Sequence, residues 1–192
     1  VIRNDFFTSK NGVRVHLILL YFSEYIEGSA SNKYIEIYNP TGADINLTGY
    51  SLELYANGSS SPNNTENLSG TITSYGTIVY KNSSATIYSG TSTTSAVCNF
   101  NGDDAIVLKN GSTIIDIIGT IGQDPGSNWS SGGLSTENRT LRRKSTVQYG
   151  AITNATGFPA LVTEWDGYSL DDISNLGSHT SYCQSPTPEI QL

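Results

Sequence analysis

Asp103 and Asp104 stand side by side in the stretch "NFNGDDAIVLKNGSTIIDIIG" (99–119), behind Asn99, Asn101 and Gly102. Carboxylate and amide oxygens in one loop suggest calcium binding, paired-carboxylate catalysis, or a turn held by side chains. The spacing fails the calcium-hand template: at the twelfth position, counting Asn99 as the first, where a bidentate glutamate is needed, stands Asn110. Neighbouring side chains on an extended chain point to opposite faces, so the two carboxyls do not converge on a substrate. Asn and Asp side chains bond nearby backbone N–H groups and shape turns, so the corner of a β-sheet is the stronger reading. Calcium is the alternative, with Asp103, Asp104 and Glu24 as ligands and Asn101 as a helper; Glu24, with Glu27, comes from the distant stretch "SEYIEGSASNK" (23–33), read as a loop that would have to fold near Asp103 and Asp104.

Other reactive residues are sparse. His16 and His179 are the two histidines, and neither has a local partner. No Cys/His spacing fits zinc, and there is no nucleophile elbow or phosphate loop. Cys98 and Cys183 are far apart; they fit one disulfide in an oxidising compartment or two unrelated buried thiols. Trp129, in "QDPGSNW" (123–129), packs over an edge or offers a face to sugars. "RTLRRK" (139–144) gathers Arg139, Arg142, Arg143 and Lys144; it reads as an edge strand guarded by charge, or, since Arg142 and Lys144 share a strand face, as a phosphate-binding stripe. The net charge of −7 and the pI near 4.6 disfavour nucleic acid as a partner, because phosphates are repelled.

The elements that must position these residues read as strands. "VRVHLILLYFSEYI" (13–26) suggests one long strand covered on both faces in its middle. "KYIEIYN" (33–39) alternates Ile35 and Ile37 against Glu36, and "YSLELYA" (50–56) sets Leu52 and Leu54 against Glu53. "TIVYK" (77–81), "AIVLK" (105–109), "TIIDIIG" (113–119) and "RTLRRK" continue the series, the middle pair joined by the hairpin signal "NGS". Ile106, Leu108, Ile115 and Ile117 are candidate core residues. Short helical turns are expected at 82–90 and at 169–177, where Ser169 is the cap and Gly177 the stop. The pattern is an all-β sandwich. The longest apolar run, "VHLILLYF" (15–22), is too short to span a bilayer. With no methionine and Val1 first, the chain reads as processed or partial.

Five stretches together carry a resemblance: 22–52, 99–119, "DPGSNW" (124–129), "TLRRK" (140–144) and "LGSHT" (176–180). In that order they resemble the bacterial branch of the lamin tail domain family. The resemblance implies an immunoglobulin-like β-sandwich over 17–180, with an N-terminal extension (1–16) and a C-terminal tail (181–192). It implies a secreted or cell-surface setting, often beside extracellular nuclease or phosphatase domains, and no catalytic residues. The expectation is a non-enzymatic structural module that binds other protein chains, copies of itself included. Ile2, Phe6, Phe7, Ile190 and Leu192 would anchor its terminal segments on a neighbour. The alternative is an accessory domain that holds an extracellular nuclease near DNA through Arg142, Arg143 and Lys144.

Overall fold

The computed structural model describes residues 20–182, together with the backbone of two short strands nearer the N-terminus. Those are β1 (Phe6–Thr8) and β2 (Arg14–His16), an antiparallel pair with Phe7 opposite Val15. β3 (Tyr21–Glu27) and β4 (Lys33–Tyr38) pair next, followed by β5 (Ile45–Asn46). β6 (Tyr50–Tyr55) and β7 (Asn64–Asn67) form a second hairpin, and β8 (Thr71–Ile72) closes onto β5. β9 (Thr77–Lys81) lies beside β4, with β10 (Thr93–Thr94) parallel to it. β11 (Ala105–Asn110) and β12 (Thr113–Ile118) are joined by a tight turn in which Gly111 carries the positive φ of 58°. β13 (Ser130–Ser131) and β14 (Leu134–Ser135) make a small ribbon before β15 (Arg139–Arg143). Helix α1 (Ala160–Glu164) runs directly into β16 (Trp165–Tyr168).

Two sheets result, in the order β10-β9-β4-β3-β15-β16 and β12-β11-β6-β7. They form the immunoglobulin-like sandwich. One continuous core joins Phe22, Ile35, Ile37 and Leu141 of the larger sheet to Leu52, Leu54, Ile106 and Leu108 of the smaller. Ile115 and Ile117 are buried with them. Each such side chain contributes about 1.5–3 kcal/mol by leaving water. A second, smaller cluster of Ile26, Tyr34, Val79, Ala85 and Leu176 sits apart from that core. Ile26 and Tyr34 face each other across β3 and β4, one step along from the core pair Tyr25 and Ile35. They therefore lie on the outer face of the larger sheet. The segment 169–182 after β16 covers that face as a strap, which is why β3 is buried at every position.

Three local expectations are corrected. The long strand over 13–26 is two strands, Arg14–His16 and Tyr21–Glu27. The segments 82–90 and 169–177 hold turns and no helix; instead, Ser95 caps a 3-10 turn over Ala96–Asn99, and α1 lies at Ala160–Glu164. Polar side chains explain the turns: Asn82 accepts from Ser84 N, and Asp172 accepts from Ser174 N, each competing with helical bonds. Finally, β15 is no edge strand. It lies between β3 and β16.

Candidate functional site

The acidic corner is built from turns. The Asp104 carboxylate accepts Asn101 N–H at 2.9 Å through one oxygen and Asn57 N–H at 2.9 Å through the other. Its carbonyl accepts the Trp129 indole N–H at 3.0 Å. Gly119 has φ 77° and lies so close that a Cβ there would meet both Asp104 O and the indole nitrogen at 2.8 Å. Only glycine suits that position. Trp129 is thus buried as a brace, and offers no face to a sugar. Asp103 is buried beside it, with Oδ1 unpartnered. Burial, then the charges of Asp124 and Glu137, raise the Asp103 carboxyl above its ordinary value. Burial is also the first cause of the raised Asp104 value.

Glu24 does not join this corner. It lies on the outer face of β3, directly opposite Glu36 of β4 and Arg142 of β15. Among the described residues, no three His, Cys, Asp or Glu side chains gather at metal-binding distance. The four candidate calcium ligands are therefore split, with Asn101, Asp103 and Asp104 at the corner and Glu24 elsewhere.

The basic stripe is split as well, because adjacent strand residues face opposite sides. Arg143 points inward and is buried. Its Nη2 donates to both oxygens of Asp116, at 2.8 and 2.7 Å. Its guanidinium stacks 4.5 Å from the Trp165 ring. Asp116 in turn accepts Phe22 N–H at 2.8 Å, Ile117 N–H at 2.9 Å and Ala151 N–H at 2.7 Å. This ion pair ties β12 to β3 and β15 across the sandwich. Arg142 points outward, under the strap: Nη2 meets Asp172 Oδ1 at 2.6 Å, Nε stands 3.4 Å from Glu24 Oε2, and the Tyr168 ring covers it at 4.1 Å. Lys144 donates to the carbonyls of Val162 and Thr163.

The outer face is the most unusual electrostatic feature of the molecule. Glu24 and Glu36 are both fully buried. Burial pushes Glu24 up to about 8 and Glu36 up to about 7. The strap supplies partners for Glu36 and for Arg142, while both Glu24 oxygens are buried without a hydrogen bond. Gly177 N–H donates to Glu36 Oε2 at 2.6 Å, and Asn175 lies beside Glu24. Ser23 donates to Glu36 Oε1 at 2.6 Å from within β3. His179 packs against the Tyr21 and Tyr38 rings and is held down at about 4, first by burial and then by the Arg143 charge. Asp116, Glu36 and Asp172 are not among the site residues expected from the sequence. The one signal was a lone acid inside an apolar run, in "TIIDIIG" and "KYIEIYN".

Cys98 is a free, wholly buried thiol whose pKa burial raises. Cys183, Ile2, Ile190 and Leu192 lie outside the described residues, as do the side chains of Phe6, Phe7 and His16. No helix of the described residues is long and apolar enough to cross a membrane.

The model of the lamin tail domain family matches residues 19–122, more than half of the chain. The match takes in β3 to β12 and the acidic corner; β15, β16 and the strap lie beyond it. No curated protein and no solved structure matches the chain.

Proposed function

As this chain belongs to the lamin tail domain family, a family of non-catalytic immunoglobulin-like domains, we propose that it is an extracellular or cell-surface structural module that binds other protein chains and assembles with copies of itself. One observation carries the reading: a detached two-stranded ribbon and a sheet-end strand stand in the same chain, β7, β10 and β12 being the other ends of the two larger sheets. Among the described residues β16 pairs only with β15, and the β1–β2 pair joins no other sheet. A free two-stranded ribbon is marginal in water, and an open edge is a template for another strand.

The charges are complementary. Residues 1–19 hold three basic and one acidic side chain, so they carry +2 of the chain's −7 and leave −9 on the remainder. The edge itself presents exposed Asp166, with Val162, Tyr168 and Leu170 as exposed apolar neighbours. The β1–β2 ribbon of one copy would add to β16 of the next. Such a contact is heterologous and propagates. The DNA-targeting reading loses its support, because Arg142, Arg143 and Lys144 are engaged within the fold and form no common exposed stripe.

The test is light scattering across a concentration series. The full chain should grow in mass with concentration, and Asp166→Lys or deletion of residues 1–19 should leave a folded monomer. A full chain that stays strictly monomeric up to about millimolar concentration would sink the assembly reading.

A further inference from the structure

The outer face of the larger sheet poses a charge problem that the assembly reading does not use. Glu24 and Glu36 are directly opposed across β3 and β4, and both are fully buried. Asp172 reaches in from the strap to the one guanidinium there, at 2.6 Å, closer than the 3.4 Å that separates Arg142 from Glu24. Glu24 and Asp172 therefore share one cation, and Glu36 is held by hydrogen bonds from Ser23 and Gly177 rather than by that cation. Like charges directly opposite in a sheet repel, and ionised buried carboxylates need partners.

We propose that the strap, residues 169–182, is a proton-gated cover: it seats on the outer face while Glu24 and Glu36 hold at least one proton between them, and lifts when both ionise. The middle of the strap is attached through the groups concerned, while its end is held apart from them, by Tyr182 N–H on Ser145 O at 2.9 Å and Ser181 Oγ on Val147 O at 3.3 Å. Asp172 sits on Arg142, Gly177 N–H on Glu36, Asn175 beside Glu24, and Leu176 in the small cluster with Ile26, Tyr34, Val79 and Ala85. Asp171 adds bonds to Ser29 N–H and Oγ at 2.8 and 2.6 Å. Lifting the strap lets water reach both carboxylates and uncovers the apolar cluster.

Tyr21, Tyr34 and Tyr38 line this layer and Asp171 anchors the strap on Ser29; the groups that set its pH response have these signs. With the strap seated, Glu24 and Glu36 titrate near 8 and 7, against an ordinary 4.5. The seated form thus binds more protons than the lifted form between 4.5 and those values, and seating weakens as pH rises through that window. His179 works the other way. It is held neutral down to about 4 against an ordinary 6.5, so its burial costs stability only below 6.5. Asp172 is lowered, first by the bond from Ser174 N–H, so it is ionised throughout that range. Arg142 stays charged, and burial raises the Tyr88 phenol further above its ordinary value. Above pH 6.5 the two glutamates act alone, and the strap is released on the alkaline side.

Amide hydrogen exchange, read by mass on peptides spanning 169–182, tests this on the full chain. After correction for intrinsic rates, protection of the strap relative to β11 and β12 should fall between pH 6.5 and 8, by about tenfold per pH unit for each proton released. The Glu24→Gln, Glu36→Gln double variant should keep the strap protected over the same range. Arg142→Met, which removes the cation that lowers the Glu24 pKa, should carry the fall on to higher pH than in the parent. A flat protection ratio from pH 5 to 9 in the parent would overturn the gate. So would the same fall in the double variant, or, if that variant does not fold, a fall in Arg142→Met that ends at the same pH as in the parent.

Discussion

Asp116→Ala is the substitution that should damage this domain most. The side chains of Asp116 and Arg143 are both fully buried, at 2.7 Å from each other. Removing the carboxylate leaves a buried guanidinium whose nearest remaining acid is Glu164, at 3.5 Å and itself part-exposed. Breaking a buried pair from one side costs about 3–5 kcal/mol. The same deletion orphans the N–H groups of Phe22, Ile117 and Ala151, each worth about 1–3 kcal/mol when left buried without a partner. These costs do not simply add, because Arg143 can swing toward Glu164 and the freed space can admit water. A total of at least about 5 kcal/mol is the expectation, comparable with the whole stability of an ordinary domain. Arg143→Met should be milder, since Asp116 keeps its three N–H donors and a thioether packs well on Trp165. Urea titration followed by tryptophan fluorescence measures both, with Trp165 as the local reporter. If Asp116→Ala shifts the unfolding free energy by less than about 2 kcal/mol, the claim that this pair ties the two sheets together is wrong.

Two further outcomes follow from the site and the core. Ile115→Ala should cost about 2–5 kcal/mol on denaturant titration, as large-to-small changes at buried positions do; a cost below about half a kcal/mol would place the residue outside the core. Melting in chelator and in millimolar calcium should coincide, because both oxygens of Asp104 already accept backbone N–H groups. A rise in Tm with calcium that Asp103→Asn abolishes would instead assign a cation to the corner.

The alternation in "KYIEIYN", "YSLELYA", "AIVLK" and "TIIDIIG" is a property of neighbours along the chain. It was enough to call strands, a sandwich and the core residues Ile106, Leu108, Ile115 and Ile117, all of which are buried. The corner was legible for the same reason: Asp104 bonds Asn101, three residues away. Neighbours along the chain say nothing about the partner on the other side, and there the tertiary structure decided. Arg142, Arg143 and Lys144 read as one basic cluster, with Arg142 and Lys144 on a shared strand face, but the acids that meet them were not legible. Asp116, 27 positions from Arg143, neutralises one on the inner face, and Asp172, 30 positions from Arg142, holds the other on the outer face. Glu24 read as a loop ligand, but pairing of β3 with β4 and β15 set it beside Glu36 and Arg142. The strap was invisible for the same cause. Its residues carry no period, and their places are fixed one by one by the face they cover.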